Sequence, residues 1–68
     1  MESLKYLWVR FVSEDNNDYD KWDIKSEIIK EITEFQGHFE ISYTHGDELL
    51  VVPKNNLFYW TKKRREKY

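Results

Sequence analysis

Twelve of the 68 residues are aromatic, the chain has no cysteine, and most of the rings fall in three short runs. A chain of this length buries only about 60% of the surface that its unfolded form exposes, so it needs disulfides, a metal or large apolar side chains to fold alone. Here the aromatic rings are expected to build the core. The three runs, residues 6–11, 39–43 and 57–60, are each typical of a strand.

Composition predicts one soluble domain. Hydrophobic residues make up 40% of the chain and charged residues 35%, which is typical of a globular protein. No run approaches the roughly 20 apolar residues of a membrane span, and no signal peptide is recognisable at the start. The absence of cysteine fits a reducing compartment. We therefore expect a cytoplasmic protein with one domain at residues 1–61 and a basic C-terminal tail at residues 62–68.

The segment after an acidic loop at residues 13–19 has a helical pattern. Asp20 is a candidate N-cap and Gly37 a candidate for the left-handed residue that ends a helix. Between them, large apolar side chains recur at spacings of four, four and three, at Ile24, Ile28, Ile32 and Phe35. This stripe predicts an amphipathic helix.

A hairpin is expected after the helix. Residues 38–45 alternate between apolar and polar side chains, and Gly46 with Asp47 is typical of a two-residue turn. Such a turn pairs Tyr43 with Leu50 and Ile41 with Val52.

The complete prediction is an α+β fold. A first strand at residues 4–12, the helix, the hairpin and a last strand at residues 57–61 give the order β-α-β-β-β. In this fold, one amphipathic helix packs on a four-stranded mixed sheet.

Charge is unevenly distributed along the chain. Residues 1–50 carry 12 acidic and 5 basic side chains, whereas residues 51–68 carry one acidic and 6 basic side chains. An acidic body and a basic end attract partners of opposite charge.

No pattern for catalysis or for a cofactor is recognisable. Asn16, Asp18, Asp20 and Glu27 have the spacing of calcium ligands, but Lys21 stands where a calcium loop needs glycine. His38 and His45 are seven residues apart, an odd separation that places them on opposite faces of one strand. The sequence therefore predicts a protein that is not an enzyme and has no cofactor or metal.

The first functional hypothesis is a protein-binding regulatory or inhibitory module, either a monomer or a small homo-oligomer. Aromatic anchors supply much of the energy of protein contacts, and carboxylates can compete for a basic groove in the place of phosphates. The candidate contact residues are Glu14, Asp15, Asp18, Asp20, Asp23, Trp8 and Trp60.

The alternative is a nucleic-acid-binding module. Rings beside several cations are typical of sites for single-stranded nucleic acid, and they occur together at Tyr59, Trp60, Lys62, Lys63, Arg64 and Arg65. A third hypothesis is assembly through strand pairing at a sheet edge.

Two resemblances accompany these hypotheses. Residues 44–60, with their hairpin and proline-bearing turn, resemble the corresponding part of LytTR-type DNA-binding domains. The Arg-His-Arg type of segment that follows in those domains is missing here, so no function is carried over. In size and in acidic, aromatic-rich character, the whole chain is similar to small bacteriophage proteins that disable host enzymes, which implies an inhibitor.

Overall fold

The computed structural model describes residues 1–13 and 18–64, which form two antiparallel sheets. The strands of these residues are β1 (Glu2–Leu4), β2 (Tyr6–Phe11), β3 (Tyr19–Asp23), β4 (Ile29–Glu34), β5 (His38–Tyr43), β6 (Leu49–Pro53) and β7 (Leu57–Thr61). A short 3₁₀ helix, Lys54–Asn56, joins β6 to β7. Glu14, Asp15 and Arg65 lie outside the described residues.

The predicted first strand, residues 4–12, is divided between the two sheets. One sheet has the strand order β1-β4-β5-β6 and the other has the order β3-β2-β7. β1 ends at Leu4 and β2 begins at Tyr6, so the chain passes from one sheet to the other at Lys5. The carbonyl oxygen of Lys5 accepts a hydrogen bond of 3.1 Å from the backbone N–H of Ile24, which ties this crossing to the end of β3.

The core between the sheets is mainly aliphatic. Leu7 and Val9 of β2 and Ile32, Phe39 and Ile41 of the other sheet have no exposed surface. Around them lie Leu4, Trp22, Ile29, Val52 and Leu57, all buried. The expectation that the rings build the core holds in part. Trp22 and Phe39 belong to the core and Phe11, Tyr43 and Trp60 pack against it, whereas Tyr19, Phe58 and Tyr59 are exposed.

The predicted amphipathic helix is wrong, and with it the α+β fold, the β-α-β-β-β order and the four-stranded mixed sheet. Residues 20–36 instead contribute β3, a turn at residues 24–28, and β4. Two members of the predicted apolar stripe, Ile24 and Ile28, are exposed by 36% and 60%. Asp20 lies within β3 instead of capping a helix.

A bulge explains why a helical spacing occurs in a strand. The pairing of β4 with β5 shifts between Ile29 and Glu31. The extra residue of a bulge breaks the alternation of faces, so Ile29 and Ile32, three residues apart, both reach the core. Isoleucine is also β-branched, which favours strands over helices. The bulge therefore accounts for the spacing of Ile29 and Ile32, whereas Ile24 and Ile28 of the predicted stripe lie in the turn before β4.

The hairpin forms with a different register from the one predicted. Ile41 pairs with Leu50, and Phe39 pairs with Val52. The loop spans residues 44–48 and contains Gly46 at φ 87°, so it is longer than a two-residue turn. A shift of two residues keeps every side chain on its predicted face. The last strand has the predicted bounds, Leu57–Thr61.

Two isoleucine substitutions distinguish the sheet from the predicted helix. Ile32→Ala removes a fully buried side chain and should lower the free energy of unfolding by about 2–5 kcal/mol. Ile28→Ala removes an exposed one and should change it by less than about 0.5 kcal/mol. Urea unfolding followed by tryptophan fluorescence measures both. Similar large losses would instead support the helical stripe.

Candidate functional site

The outer side of the three-stranded sheet carries a group of rings and charges. Because Leu7 and Val9 point into the core, the alternate residues of β2 point outward. The strand register places Tyr19 and Tyr59 on either side of Arg10. We call this surface the aromatic face, and its residues are Tyr6, Trp8, Arg10, Tyr19, Lys21, Asp23, Tyr59 and Thr61.

Three rings contact one another on the aromatic face. Trp8 stacks on Tyr19 with ring centroids 5.8 Å apart and an interplanar angle of 25°. It meets Tyr59 edge-on, with centroids 6.0 Å apart. Tyr19 and Tyr59 remain 59% and 49% exposed. Aromatic pairs of this kind contribute about 0.5–1.5 kcal/mol each beyond burial, so Trp8 holds two tyrosine rings in place while they stay open to solvent.

Asp23 is the only acidic residue among the outward-pointing residues of the described strands β2, β3 and β7, and Arg64 binds it. The guanidinium donates two hydrogen bonds to the carboxylate, of 2.7 Å from Nη2 and 3.0 Å from Nε. It also lies 5.6 Å from the centroid of the Tyr6 ring. These bonds from Arg64 lower the pKa of Asp23 to about 2, partial burial opposes them, and the backbone N–H of Lys25 assists them. The carboxylate of Asp23 is therefore ionised, and the guanidinium of Arg64 balances its charge.

The remaining charges of the aromatic face are positive. Arg10 lies between the two exposed tyrosines in the register, and Lys21 pairs with Trp8. The guanidinium of Arg10 also lies 5.9 Å from the centroid of the Phe58 ring. A shallow hollow of about 470 Å³ opens on this surface, and Lys21, Trp8, Tyr19 and Arg64 contribute to its walls. The hollow thus combines rings with cationic side chains.

Trp60 lies on the other side of β7 from Tyr59. Its ring packs edge-on against the buried Phe39, with centroids 5.7 Å apart, and the ammonium of Lys54 lies 5.5 Å from its centroid. The side chain is half-buried. Trp60 therefore contributes to the packing between sheets, whereas Trp8 and Tyr59 lie on the aromatic face.

The predicted acidic residues are separated. Asp18 and Asp20 are exposed, and Asp20 points away from Tyr19 and Lys21 because strand side chains alternate. Asp23 is engaged by Arg64. Glu14 and Asp15 lie outside the described residues, so the structure does not bring the acidic set together as one surface.

The predicted basic residues contact the strands at two points. The ammonium of Lys62 donates a 2.8 Å hydrogen bond to Glu34 and lies 3.7 Å from Glu2. Hydrogen bonds from Lys54 and Lys62 lower the pKa of Glu34, and Glu34 in turn raises the pKa of Lys62. Arg64 pairs with Asp23 as described above. Lys63 is exposed, and Arg65 lies outside the described residues.

Tyr19, Arg10 and Lys21 were not predicted as site residues. Residues 19–23 do alternate, with Tyr19, Lys21 and Asp23 on one side and the buried Trp22 on the other. This two-residue period predicts a strand. The period is short, however, and the longer isoleucine stripe that follows it led to the prediction of a helix. Placing β3 beside β2 is what brings these residues next to Trp8.

Three further features of the described residues bear on function: metal-binding clusters, the contacts of His38 and membrane-spanning helices. Within residues 1–13 and 18–64, no group of three or more His, Cys, Asp or Glu side chains is placed to hold a metal ion. His38 stacks on Phe35 and hydrogen-bonds Glu40 at 3.0 Å. In the same ranges no helix is long and apolar enough to cross a membrane.

Comparison with protein-family models, with curated proteins and with solved structures finds no match for the chain. The function is therefore inferred from the geometry and chemistry of the aromatic face.

The ion pair between Asp23 and Arg64 predicts a specific acid sensitivity. Because the pKa of Asp23 falls from 3.8 to about 2 on folding, its contribution is complete above pH 3.8 and is lost as the pH falls towards about 2. Asp23→Asn should cost at most about 1 kcal/mol at neutral pH, since the pair is near the surface.

Urea unfolding at a series of pH values measures this effect. The Asp23→Asn variant should lose less stability than the parent protein over that acidic interval, while the control Asp20→Asn should follow the parent. An Asp23→Asn variant with the parental pH dependence would contradict the assignment.

Proposed function

We propose that the protein is a small, non-catalytic module that binds single-stranded nucleic acid on the aromatic face. The observation that carries this proposal is the placement of Trp8, Tyr19 and Tyr59 together on one exposed sheet surface that also presents Arg10 and Lys21. This is the chemistry of the alternative predicted from sequence, but on a different set of residues.

The exposed tyrosines suit bases in an unpaired strand. Every base has a flat face that can stack on an aromatic ring, and each such contact contributes about 1–3 kcal/mol. Tyr19 and Tyr59 lie on the two strands that flank β2, about 10 Å apart by strand spacing. Trp8 supports both rings from the central strand, so the platform is preorganised for more than one base.

The charge distribution also supports a phosphate backbone at this surface. Arg10 and Lys21 are cationic, Lys63 follows β7, and Arg64 compensates Asp23. Glu31 and Glu40 lie on strands of the other sheet. An overall charge of −2 therefore does not prevent a locally positive face from attracting phosphates.

Binding to a fluorescein-labelled thymidine oligonucleotide, followed by anisotropy, tests the proposal. Tyr19→Ala and Tyr59→Ala should each weaken binding by about 5- to 150-fold, the equivalent of one lost stacking contact. Tyr59→Phe keeps the ring and should bind nearly as tightly as the parent. Phe35→Ala is the matched control, because that ring stacks on His38 at the other sheet.

Salt supplies an independent readout of the same complex. Two phosphate contacts, from Lys21 and Lys63, give a slope of about −1.4 for log K against log salt concentration on a single strand. A flat salt response, or equal loss in Phe35→Ala and Tyr59→Ala, would contradict the proposal.

The protein-binding hypothesis has less support from the geometry. Of its predicted contacts, Trp60 is packed between the sheets and Asp23 is bound by Arg64. Asp18 and Asp20 are the acidic members that remain exposed among the described residues. An inhibitory role against a protein partner, of the kind that the resemblance to phage proteins implies, stays a prediction, as does a cytoplasmic location.

The two hypotheses respond in opposite ways to charge reversal. The double variant Asp18→Lys and Asp20→Lys should keep or increase the affinity for the oligonucleotide, because it adds positive charge near β3. An acidic surface that binds a basic protein would lose its affinity for that protein in this variant. Oligonucleotide binding that falls with this reversal would count against the aromatic face.

A further inference from the structure

The outer edge of β6 is apolar and without charge. β6 is the last strand in the sheet order β1-β4-β5-β6, and its residues Leu49–Pro53 include no charged side chain. Leu49, Leu50 and Val51 are exposed by 52%, 37% and 49%. Natural proteins usually protect such an edge with charges or a bulge, because its backbone groups can pair with another strand.

The backbone pattern shows which groups of β6 face outward. The N–H of Lys54 donates to the carbonyl oxygen of Gly37 at 3.0 Å. In an antiparallel ladder the hydrogen-bonded pairs alternate, so Val52 and Leu50 direct their N–H and C=O groups towards β5. Leu49 and Val51 therefore direct theirs to the open edge. Pro53 also directs its backbone groups to that edge. Its lack of an N–H therefore removes no hydrogen bond between β6 and β5.

We propose that β6 pairs antiparallel with β6 of a second copy of this chain, about a two-fold axis at Leu50. In this register, Leu49 of one copy is opposite Val51 of the other. Every outward N–H and C=O group of both residues then gains a partner. Pro53 falls opposite Asp47 at the end of the ladder, where its lack of an N–H matters least.

The charges of the chain favour a second copy as the occupant. With the axis at Leu50, Glu48 is opposite Val52 and Asp47 is opposite Pro53, so no two like charges meet across the interface. The outer strands β1 and β3 carry charged residues, among them Glu2 and Lys21. β7 is bulged against β2 next to Arg10, which disfavours edge pairing. β6 is thus the edge of the described strands best suited to pair with itself.

Sedimentation equilibrium over a range of about 10 µM to 1 mM tests the pairing. The weight-average mass should rise with concentration from one chain towards two, since a single strand pair makes a small interface. Val51→Lys puts a charge on the edge at an exposed position and should return the mass to that of a monomer. Ile24→Lys is the control, because Ile24 is exposed by 36% and its N–H binds Lys5 beside β1, at the opposite end of the sheet from β6; it should associate as the parent does.

Circular dichroism verifies that both variants fold. A strict monomer at the highest concentration overturns the proposal in favour of a strand from a different protein. A dimer that persists in Val51→Lys overturns it as well, because association then uses another surface.

A cysteine substitution tests the register. The chain has no cysteine, so Leu50→Cys introduces the sole thiol, and the two-fold axis places it opposite its own copy. Pairs without mutual hydrogen bonds have Cα atoms about 4.5 Å apart, within the range that disulfides span. Leu50→Cys should form a covalent dimer faster than Ile24→Cys at equal concentration, although the two positions are exposed by 37% and 36%. Equal rates overturn the register.

Neither substitution touches the aromatic face, so oligonucleotide binding reports on the proposed function separately.

Discussion

The rest of the structure depends on the contact between the inner faces of the two sheets. Leu7 and Val9 of β2 are fully buried against a core that includes Ile32, Phe39 and Ile41. Neither sheet buries enough apolar surface alone at this chain length. Because strand side chains alternate, burying Leu7 and Val9 forces Trp8 and Arg10 outward. The packing of the core thus determines which rings are available at the surface.

The same arrangement separates the charges. β4 and β5 carry glutamates on the four-stranded sheet, where Glu34 binds Lys54 and Lys62. The outward side of the three-stranded sheet presents Arg10 and Lys21, and Arg64 binds Asp23, the one acidic residue among the described residues of that side. The exposed tyrosines lie on this face, which is where we propose that the protein binds phosphates. Charge and ring placement both follow from how the strands alternate.

The sequence predicted strands at residues 38–45 and 57–61, and strands form at His38–Tyr43 and Leu57–Thr61, because alternation and turn residues are local signals. It failed at residues 20–36, where the bulge beside Ile29 lets isoleucines three residues apart share the core. Three residues of the aromatic face were candidate site residues from the sequence, Trp8 and Asp23 for a protein contact and Tyr59 for nucleic acid. The contacts of the face depend on long-range pairing: Tyr19 meets Trp8 only once β3 lies beside β2, and Arg64 binds Asp23 across 41 residues. No local pattern encodes such contacts.

The most direct test of the two-sheet fold is the backbone pairing of residues 19–34, measured by nuclear Overhauser effects in the folded protein. The fold predicts cross-strand contacts between the backbone protons of Leu7 and Trp22 and between those of Ile32 and Ile41. These contacts are the direct signature of β3 and β4 as strands. A continuous series of contacts between residues three apart in this segment would show a helix, and would contradict both the two-sheet fold and the aromatic face.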